Sequence, residues 1–470
     1  MNKPIEIFVN SQIQINSQSL PARIEQKLKD MLIIMNPKWE ENDKRGYWNG
    51  DTPKKFYFLT KQDDTYCMPR GFIHQLALIL KKENLEFSII DETRELPEIN
   101  FQFQGNLYDF QKKAVKAILT RRFGVFNCPT GGGKTVVALH CIAERKQPSL
   151  IIVHTKELMY QWRDRAVEFL GLSEDEIGLL GDGKKEIDKN ITISIVNSLY
   201  KIAHHINDRI GFLIVDECHR TPSRTFTDAA SAFDSKYMLG LSATPYRRDK
   251  LTNVIHYYLG NRLYDIAPQE LQMQNKIMRA KVKIHYTNFD YNYRGAEDYQ
   301  PMLTALAEDH SRNSIISSAV EKEAQKNKGI SLIISDRKDH CNELFYLIES
   351  QGIEVRLLTG DVPMAERKLI IEELSKGSVS AIVATSQLIG EGFDMKSLSS
   401  LFLGTPVKFT GRIKQYVGRI LRVDKGKDEA IIHDFVDKPG VLQASFKWRL
   451  KAYQELGIKE IETEHAASYT

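Results

Sequence analysis

Short apolar runs alternate with longer segments of helical periodicity along most of the chain. Each run is rich in aliphatic and β-branched residues and is bounded by polar or glycine-containing turns, a pattern typical of buried strands. The predicted strands form two sets, 123–127, 150–154, 191–196, 210–215 and 237–241, then 331–335, 355–358, 381–384, 400–403 and 430–433. Because helical segments separate the strands, we predict an α/β fold with two lobes, each a parallel sheet covered by helices.

Two regions depart from this alternation. Residues 1 to about 100 predict a small, separate α/β unit, with strands at 5–9, 54–59 and 86–90, helices at 21–35 and 74–82, and a proline-containing acidic linker at 91–97. Residues 250–324 contain a polar stretch, one predicted strand at 280–286 and a helix. The predicted domains are therefore 1–100 (accessory), 101–250 (first lobe), 251–324 (connection or insertion between the lobes) and 325–470 (second lobe).

Composition narrows the class of protein. The 470 residues carry a net charge of only +4, from 65 basic and 61 acidic side chains, so any nucleic-acid surface must be a local basic patch. The five cysteines form no C-x-x-C pair, which argues against a zinc knuckle or a disulfide framework. The chain has no signal-like start and no apolar stretch of membrane-spanning length. We expect a cytoplasmic protein, nucleoid-associated or in the host cytoplasm if phage-encoded.

A glycine-rich loop follows the predicted strand 123–127 and precedes a predicted helix, with the sequence Pro129-Thr130-Gly131-Gly132-Gly133-Lys134-Thr135. Its glycines allow backbone N–H groups to approach phosphate oxygens, Lys134 can reach the β- and γ-phosphates, and the Thr135 hydroxyl can bind Mg²⁺. Cys128 occupies the first position of the general phosphate-loop pattern, where glycine is usual. The strand–loop–helix order predicts a nucleoside-triphosphate site rather than a simple turn.

Two carboxylates follow another predicted strand, 210–215, in the tetrapeptide Asp216-Glu217-Cys218-His219. Open α/β sheets place their chemistry at the carboxyl ends of strands. Asp216 can orient Mg²⁺, and Glu217 can polarise the attacking water as a general base. Cys218 has no partner with metal-ligand spacing, so we interpret it as a packed side chain. The loop and the carboxylates together predict hydrolysis of a nucleoside triphosphate.

With Ser242-Ala243-Thr244-Pro245, these segments resemble the superfamily-two helicases and translocases of the D-E-x-H type over about 105–455. The resemblance implies two RecA-like parallel-sheet lobes with a small N-terminal α/β domain, ATP and Mg²⁺ as cofactors, and nucleic-acid-stimulated ATP hydrolysis. Gln111 would read adenine, although Tyr108 stands where the family usually has arginine. Ser242 and Thr244 would link hydrolysis to nucleic-acid movement through His219. Nucleic-acid contacts are implied for Thr155, Gln161, Trp162, Asn197 and Ser198.

The second lobe carries further segments that resemble this family. Ala384-Thr385 through Gly390-Glu391-Gly392-Phe393-Asp394 implies nucleotide binding by Gly392 and Asp394 and nucleic-acid contact by Thr385, with Thr359 as another candidate contact. The pattern Gln415-x-x-Gly418-Arg419-x-x-Arg422 would present Gln415, Arg419 and Arg422 on one helix face. Because arginine stabilises charge that develops on a phosphate, we expect Arg419 and Arg422 to act at the γ-phosphate, with a solvated basic face as the alternative.

The type of motor is indicated by Arg247-Arg248-Asp249, which resembles the Arg-Glu-Asp element of XPB-type repair helicases with Arg248 in place of the acidic residue. A small N-terminal α/β domain before two motor lobes is similar to the layout of UvsW-type phage recombination helicases. We therefore expect an XPB/UvsW-like DNA motor in which Arg247 contacts nucleic acid. A salt-bridged turn is the alternative for this triplet.

Basic and aromatic residues are interleaved in the N-terminal unit, in Lys38-Trp39, Lys44-Arg45-Gly46-Tyr47-Trp48 and Lys54-Lys55-Phe56-Tyr57-Phe58. Such side chains can contact phosphates and stack on bases. We assign Tyr57 to the core and Trp48, in an apparent loop, to nucleic-acid contact. A later aromatic cluster is expected to pack locally; its members are Phe289, Tyr291, Tyr293 and Tyr299.

The leading hypothesis is an ATP-dependent DNA helicase or translocase that acts on single-stranded, branched or damaged DNA in repair, recombination or replication. Two alternatives stay open. One is the motor subunit of a restriction or defence nuclease, which needs a partner chain because no nuclease signature is evident. The other is an ATP-switched nucleic-acid sensor, including one for RNA, because these motifs grip the sugar-phosphate backbone. A nuclease or repair protein is the expected partner class, and no membrane contact is expected.

Overall fold

The computed structural model describes residues 4–220, 224–243, 251–273, 278–326, 329–390, 395, 397–407, 410–424, 427 and 429–464. They form two compact units, one within Met1–Cys128 and Gly133–Ile266 and the other within Pro129–Gly132 and Ala267–Thr470. In the part of the chain so described, no helix has the length and apolar character needed to cross a membrane.

The first hundred residues form a mixed sheet and a separate hairpin. Their elements are β1 (Ile5–Val9), β2 (Gln12–Asn16), α1 (Ala22–Leu32), β3 (Ile33–Met35), α2 (Pro37–Lys44), β4 (Lys55–Tyr57), β5 (Thr60–Gln62), β6 (Thr65–Pro69), α3 (Ile73–Lys82) and β7 (Phe87–Asp91). The sheet order is β5-β6-β2-β1-β7, and β3 pairs with β4 alone. Alternate residues of β1 and β2 are buried, as expected for a sheet covered on one face, and α1 and α3 supply the apolar residues that cover it.

The predicted helix at 21–35 is wrong in its last three residues, because α1 ends at Leu32 and the chain continues as β3. Tyr57 was assigned to the core, but its side chain is 62% exposed. Neighbouring Phe56 and Phe58 pack against the core instead. Successive side chains of a strand point to opposite faces, so Tyr57 faces away from the core when Phe56 and Phe58 face it.

The first lobe is an eight-stranded sheet that is almost entirely parallel. Its elements are α4 (Asp109–Leu119), β8 (Phe123–Asn127), α5 (Lys134–Arg145), β9 (Ser149–Val153), α6 (Lys156–Leu170), β10 (Ile177–Gly181), β11 (Lys184–Lys185), β12 (Ile191–Ile195), α7 (Val196–Leu199), α8 (Ala203–Ile206), β13 (Phe212–Val215), α9 (Arg224–Ser231), β14 (Tyr237–Ser242), α10 (Thr252–Leu259) and β15 (Arg262–Asp265). The strand order is β11-β10-β12-β9-β13-β14-β8-β15, and only β10 and β11 pair antiparallel. Central strands such as β9 and β13 are buried at every position, which explains their continuous apolar runs.

The N-terminal sheet and the first lobe share one hydrophobic core. Val254 and Tyr257 of α10 belong to the same buried cluster as the apolar residues of β1, α1 and α3. The Tyr257 hydroxyl donates to the Met31 carbonyl at 2.8 Å. The backbones meet closely as well, since a Cβ added to Gly71 would lie 2.4 Å from the Gly260 nitrogen. The first hundred residues are therefore packed into the first lobe rather than tethered to it.

A buried arginine strengthens this attachment. Arg70 is only 2% exposed, and its Nη1 donates to the Ser235 carbonyl at 2.7 Å while its guanidinium lies 5.0 Å from the Phe123 ring centroid. Burial lowers the pKa of Arg70 to about 10, a value at which the side chain stays charged near neutral pH. Farther along, Arg94 makes a two-pronged ion pair with Asp234, with distances of 3.0 and 2.9 Å. Both arginines join the N-terminal region to the segment before β14.

The second unit is a seven-stranded parallel sheet with helices. Its elements are α11 (Pro268–Met273), β16 (Ala280–Tyr286), α12 (Tyr299–Glu308), α13 (His310–Ala324), β17 (Ile330–Ser335), α14 (Lys338–Ser350), β18 (Val355–Leu358), α15 (Met364–Lys376), β19 (Ala381–Thr385), α16 (Ser386–Gly390), β20 (Leu398–Leu403), α17 (Thr410–Ile420), β21 (Ala430–Val436), α18 (Gly440–Glu455) and β22 (Glu460–Glu464). The order is β18-β19-β17-β20-β21-β16-β22. The two parallel-sheet lobes and the N-terminal α/β part match the predicted fold class.

The stretch 251–324 does not form a separate connection. Its α10 and β15 extend the first lobe, whereas β16 pairs with β21 inside the second sheet and α13 packs on that sheet. The aromatic cluster after β16 packs locally as expected: Phe289 is buried with Met302, Leu306 and Leu442, and the three tyrosines lie against them. After α18 the chain forms one more strand, β22, which pairs with β16.

Candidate active site

The glycine-rich loop leads from the end of β8 to the first residue of α5, as predicted. Gly131 and Gly133 have φ angles of 87° and 80°, in the left-handed region that favours glycine. A Cβ added to Gly133 would lie 2.4 Å from the Gln111 Nε2 atom. The φ angle and the close approach of Gln111 together require glycine at this position.

Gln111 lies against this loop. Its side chain is 4% exposed, and its Oε1 accepts the Tyr108 backbone N–H at 2.9 Å. The Tyr108 ring is stacked on Phe110, with centroids 5.7 Å apart and planes at 17°, and is 48% exposed. An amide and a partly exposed aromatic face therefore lie beside the loop where the sequence predicts adenine recognition.

The carboxylates lie at the end of β13, a strand in the middle of the sheet. The Asp216 N–H donates to the Ile152 carbonyl of β9 at 3.0 Å, and the residue is 6% exposed. Glu217 follows with a φ of 47°, which is unusual for a residue with a side chain and costs about 1–3 kcal/mol. Its N–H donates to Asp216 Oδ1 at 2.9 Å, which helps to hold this backbone conformation.

Lys134 at the start of α5 makes an ion pair with Glu217, with Nζ and Oε1 2.8 Å apart. Burial disfavours the charged form of Lys134, but the charges of Glu217 and Asp216 outweigh it and raise the pKa of the lysine. Burial likewise opposes ionisation of Glu217, and the charge of Lys134 and the contact with His219 overcome it, which lowers the pKa of Glu217. Burial and the neighbouring Glu217 charge raise the pKa of Asp216. The site holds an ionised lysine and an ionised glutamate.

The predicted coupling residues come together here. His219 Nδ1 lies 3.2 Å from Glu217 Oε2 and 3.3 Å from the Ser242 Oγ. Ser242 is the last residue of β14, the strand next to β13, and is buried. A row of contacting polar side chains therefore runs from Lys134 through Glu217 and His219 to Ser242. Thr244, the other predicted coupling residue, lies outside the described residues.

Trp162 was predicted to contact nucleic acid, and this prediction is wrong for the side chain. It is 2% exposed, and its indole Nε1 donates to Asp216 Oδ2 at 2.8 Å. The sequence carried a usable signal: Trp162 lies on the buried face of α6 with Met159, Ala166 and Leu170. A tryptophan on such a face places its polar N–H in the interior, where it needs an acceptor.

Cys218 is a packed side chain, as expected. It is fully buried in the core of the first lobe, and burial raises the pKa of its thiol far above the ordinary value. Cys128 is also fully buried, and burial raises the pKa of that thiol to about 12. Neither thiol is available as a nucleophile.

The remaining candidate contacts of the first lobe follow neighbouring strands. Thr155 caps α6 by accepting the Leu158 N–H at 3.3 Å, and Gln161 is partly buried on that helix. Asn197 is exposed and Ser198 partly exposed on α7. Since β9 and β12 are paired in parallel, the segments after them lie at the same edge of the sheet. Arg247 lies outside the described residues.

The predicted site residues of the second unit differ in their exposure and in the elements that carry them. Thr385 ends β19 and is partly exposed, whereas Thr359 is only 5% exposed, so its side chain offers little contact surface. Gln415 and Arg419 lie on α17, but this helix ends at Ile420, so Arg422 does not share a helix face with them. The buried Lys427 donates to the Ile420 and Arg422 carbonyls and stabilises this helix end. Gly392 and Asp394 are outside the described residues.

The donor set of the first lobe fits a magnesium nucleotide. The left-handed glycines open the loop backbone, and Lys134 supplies the cation expected beside the phosphates. The Thr135 hydroxyl and the Asp216 carboxylate are oxygen ligands of the kind that Mg²⁺ prefers. These features come from two separate strand ends, those of β8 and β13, as is usual for open α/β sheets.

Two protein-family models match the chain. Residues 104–247 match the model described as "Type III restriction enzyme, res subunit", and residues 312–424 match "Helicase conserved C-terminal domain". The chain is 28% identical over 400 residues to the DNA 3'-5' translocase XPB2 of Sulfurisphaera tokodaii, covering 76% of this chain and 87% of that one. It is 24% identical over 392 residues to the ATP-dependent DNA helicase uvsW of Enterobacteria phage T4, covering 79% and 77%.

Among solved structures, a fragment of an HsdR subunit of a type I restriction enzyme from Vibrio vulnificus is similar in fold. The TM-score is 0.60 at 18% identity, over 77% of this chain and 69% of that one. At this identity the likeness supports the fold alone. The two family matches, one on each lobe, and the relatives that span both lobes place the chain in superfamily two: it is an ATP-dependent helicase or translocase of the XPB/UvsW type.

Proposed function

We propose that the chain uses ATP hydrolysis to move along DNA and to remodel or unwind branched or damaged DNA in repair, recombination or replication. The observation that carries this proposal is the row of contacting polar side chains that runs from Lys134 through Glu217 and His219 to Ser242. It joins the hydrolytic site to the end of the neighbouring strand, from which the predicted coupling segment continues. The names of the relatives, a DNA translocase and a DNA helicase, support DNA as the substrate.

Within this proposal the first lobe binds and hydrolyses the nucleotide. Thr130 and the loop glycines surround the phosphates, Lys134 neutralises them, and Thr135 and Asp216 hold Mg²⁺, which polarises the phosphate oxygens when bound. Glu217 is the general base for water. Because Lys134 is paired with Glu217 at 2.8 Å, phosphates that attract the lysine release the carboxylate for this task. Gln111 reads adenine beside the loop.

Further nucleotide contacts are proposed for residues of the second lobe. We assign charge stabilisation at the γ-phosphate to Arg419 and Arg422, because guanidinium groups bind phosphate oxygens in two-pronged fashion. Gln415, Gly392 and Asp394 are the further proposed nucleotide contacts. The helix ends at Ile420, and beyond it the Arg422 backbone carbonyl accepts a hydrogen bond from Lys427 at 2.9 Å. This hydrogen bond restrains the backbone from which the Arg422 side chain extends.

The DNA strand is proposed to follow the sheet edge after β9 and β12. There Asn197 is exposed, and Thr155, Gln161 and Ser198 are partly exposed. Arg247, Thr359 and Thr385 are the further proposed contacts, and of these Thr359 is only 5% exposed. Contacts at such an edge come largely from polar side chains and backbone groups and bind the sugar-phosphate chain without reading sequence.

The N-terminal hairpin is a second proposed DNA surface. Trp48 is 93% exposed, and Tyr47 and Tyr57 are also exposed. Lys44, Lys54 and Lys55 of the same segment are exposed as well. The loop is anchored, since the Asn36 side chain donates to the Pro53 carbonyl at 2.8 Å and Lys54 lies over the Trp39 ring at 4.7 Å. An exposed indole in a segment with exposed lysines is suited to stacking on a base beside phosphates.

The double variant Trp48→Ala with Lys44→Ala is therefore expected to weaken single-stranded DNA binding by about 10- to 100-fold, since base stacking is worth about 1–3 kcal/mol. Basal ATP hydrolysis without DNA should not change, because neither residue belongs to the proposed nucleotide site. Fluorescence anisotropy with a labelled oligonucleotide measures the affinity. Trp448→Ala with Lys451→Ala removes another tryptophan–lysine pair, 5.9 Å apart, and is the matched control. Equal affinities for the two double variants would contradict a DNA role for the hairpin.

The experiment that tests the function compares ATP hydrolysis stimulated by single-stranded DNA, duplex DNA, forked DNA and RNA, with a strand-displacement assay on the forks. We expect the strongest stimulation by DNA and ATP-dependent displacement on the forks. Stimulation by duplex DNA with movement but no strand separation would favour the motor subunit of a restriction nuclease, which the match at 104–247 keeps as the second candidate. Hydrolysis without either movement or displacement would favour the sensor.

A further inference from the structure

A tryptophan that the sequence suggested as a nucleic-acid contact holds a catalytic carboxylate instead. Trp162 and Asp216 are both buried, and the indole Nε1 donates to Asp216 Oδ2 at 2.8 Å. The two residues are 54 positions apart in the sequence and lie on different elements, the helix α6 and the end of β13. The contact is therefore a product of the tertiary fold.

This contact completes the fixation of the carboxylate. Asp216 Oδ1 accepts the Glu217 N–H at 2.9 Å, and Oδ2 accepts the indole N–H. An ionised carboxylate has about four lone-pair sites, so each oxygen keeps capacity for another ligand. With one donor on each oxygen, the carboxylate plane cannot rotate without breaking a hydrogen bond in a buried place, which costs about 1–3 kcal/mol. The remaining lone pairs therefore have fixed directions.

The helix that carries the indole is itself well fixed. Thr155 caps its first turn, and Met159, Ala166 and Leu170 anchor its buried face beside Trp162. The side chain of Trp162 is bulky and has only two rotatable bonds, so its N–H direction follows that of the helix. A rigid donor on a separate element is what keeps a metal-ligating carboxylate in one orientation.

We propose that Trp162 is a positioning residue for Mg²⁺ binding: its indole N–H orients the Asp216 carboxylate toward the metal of the bound nucleotide. This inference rests on the proposed role of Asp216 in holding Mg²⁺. Trp162 does not touch the substrate and acts only through Asp216. Removal of the N–H leaves the carboxylate free to turn, so more Mg²⁺ is needed to fill the site.

Trp162→Phe tests this inference, because it keeps an aromatic ring and removes the N–H. We expect the Mg²⁺ concentration for half-maximal ATP hydrolysis to rise by about 10-fold, the lower end of the usual cost of losing an outer partner of a metal ligand. A binding measurement gives a readout that does not depend on turnover. The affinity for a fluorescent ATP analogue should fall when Mg²⁺ is limiting and should match the unchanged protein in EDTA.

Two controls separate positioning from core packing. Met159→Leu alters the same buried face of α6 without touching Asp216, and it should leave the Mg²⁺ requirement unchanged. A tryptophan analogue with sulfur in place of the indole N–H keeps the shape of the ring, and it should reproduce the raised requirement without a change in thermal unfolding. An unchanged requirement in both the phenylalanine and the sulfur variants would overturn the inference. So would an equal requirement in the phenylalanine and Met159→Leu variants.

The proposed function is tested apart from this inference by Asp216→Asn. If Asp216→Asn raises the Mg²⁺ requirement and Trp162→Phe does not, the inference fails and the metal assignment stands. If neither variant alters the requirement, the metal assignment of Asp216 fails as well.

Discussion

Lys134→Ala is expected to abolish ATP hydrolysis and every ATP-dependent movement on DNA. The lysine is the cation held beside the two carboxylates, with Nζ 2.8 Å from Glu217 Oε1, and it is the residue proposed to neutralise the β- and γ-phosphates. Removal of a single preorganised donor to developing charge typically costs about 100- to 1,000-fold in rate. Since this variant also removes a full charge, we expect at least the upper end of that range in a coupled ATPase assay with saturating DNA.

Lys113→Ala is a matched control, because Lys113 is an exposed lysine on α4. It should hydrolyse ATP at the normal rate. Thermal unfolding of the Lys134→Ala protein needs to be measured alongside, since loss of the lysine leaves the buried Asp216 carboxylate next to the partly buried Glu217 without their cation. A folded Lys134→Ala protein with more than a tenth of the normal rate would contradict the nucleotide assignment of the loop.

Glu217→Gln is expected to separate binding from hydrolysis. The amide keeps the shape of the side chain but cannot accept a proton from water, and a positioned general base contributes about 100- to 10,000-fold. Turnover should fall by that factor. ATP should bind at least as tightly as before, because the lysine no longer has to leave an ion pair to reach the phosphates. Single-turnover kinetics and equilibrium binding of an ATP analogue measure the two effects.

The backbone makes glutamine the appropriate replacement. Glu217 has a φ of 47°, and glutamine carries the same strain, whereas glycine would relieve it and mix two effects. Glu168→Gln, at an exposed surface ion pair on α6, is the control and should leave both quantities unchanged. Normal turnover in Glu217→Gln would rule out its role as the base.

The sequence predicted the parts of the site that are encoded in short contiguous segments. The loop after β8 and the carboxylates after β13 follow buried apolar strands, and parallel strands bring their carboxyl ends to one edge of the sheet. The fold class followed from the same alternation. Short or glycine-containing strands such as β10 and β15 carry no comparable pattern, and they were missed.

The parts that the sequence did not predict depend on contacts between distant segments. Trp162 was assigned to nucleic-acid contact from a family resemblance, and the sequence did not reveal that its acceptor is Asp216, 54 positions later. The helix α17 ends before Arg422, where Lys427 satisfies the free carbonyls, and spacing alone does not show such a stop. Residues 251–324 were predicted to be a connection. The sequence pattern did not show that their strand β16 pairs with β21, which begins at residue 430.

The core shared by the N-terminal sheet and α10 has a consequence for the order in which the chain folds during synthesis. The N-terminal contribution to that core ends at Leu80, and the later contribution begins at Leu251. At about 5–20 residues per second, the ribosome needs roughly 10–30 s to make the intervening segment. Throughout that interval the apolar surface that receives Tyr257 has no covering helix. The nascent N-terminal sheet is therefore expected to need a chaperone or to remain loosely packed until α10 emerges.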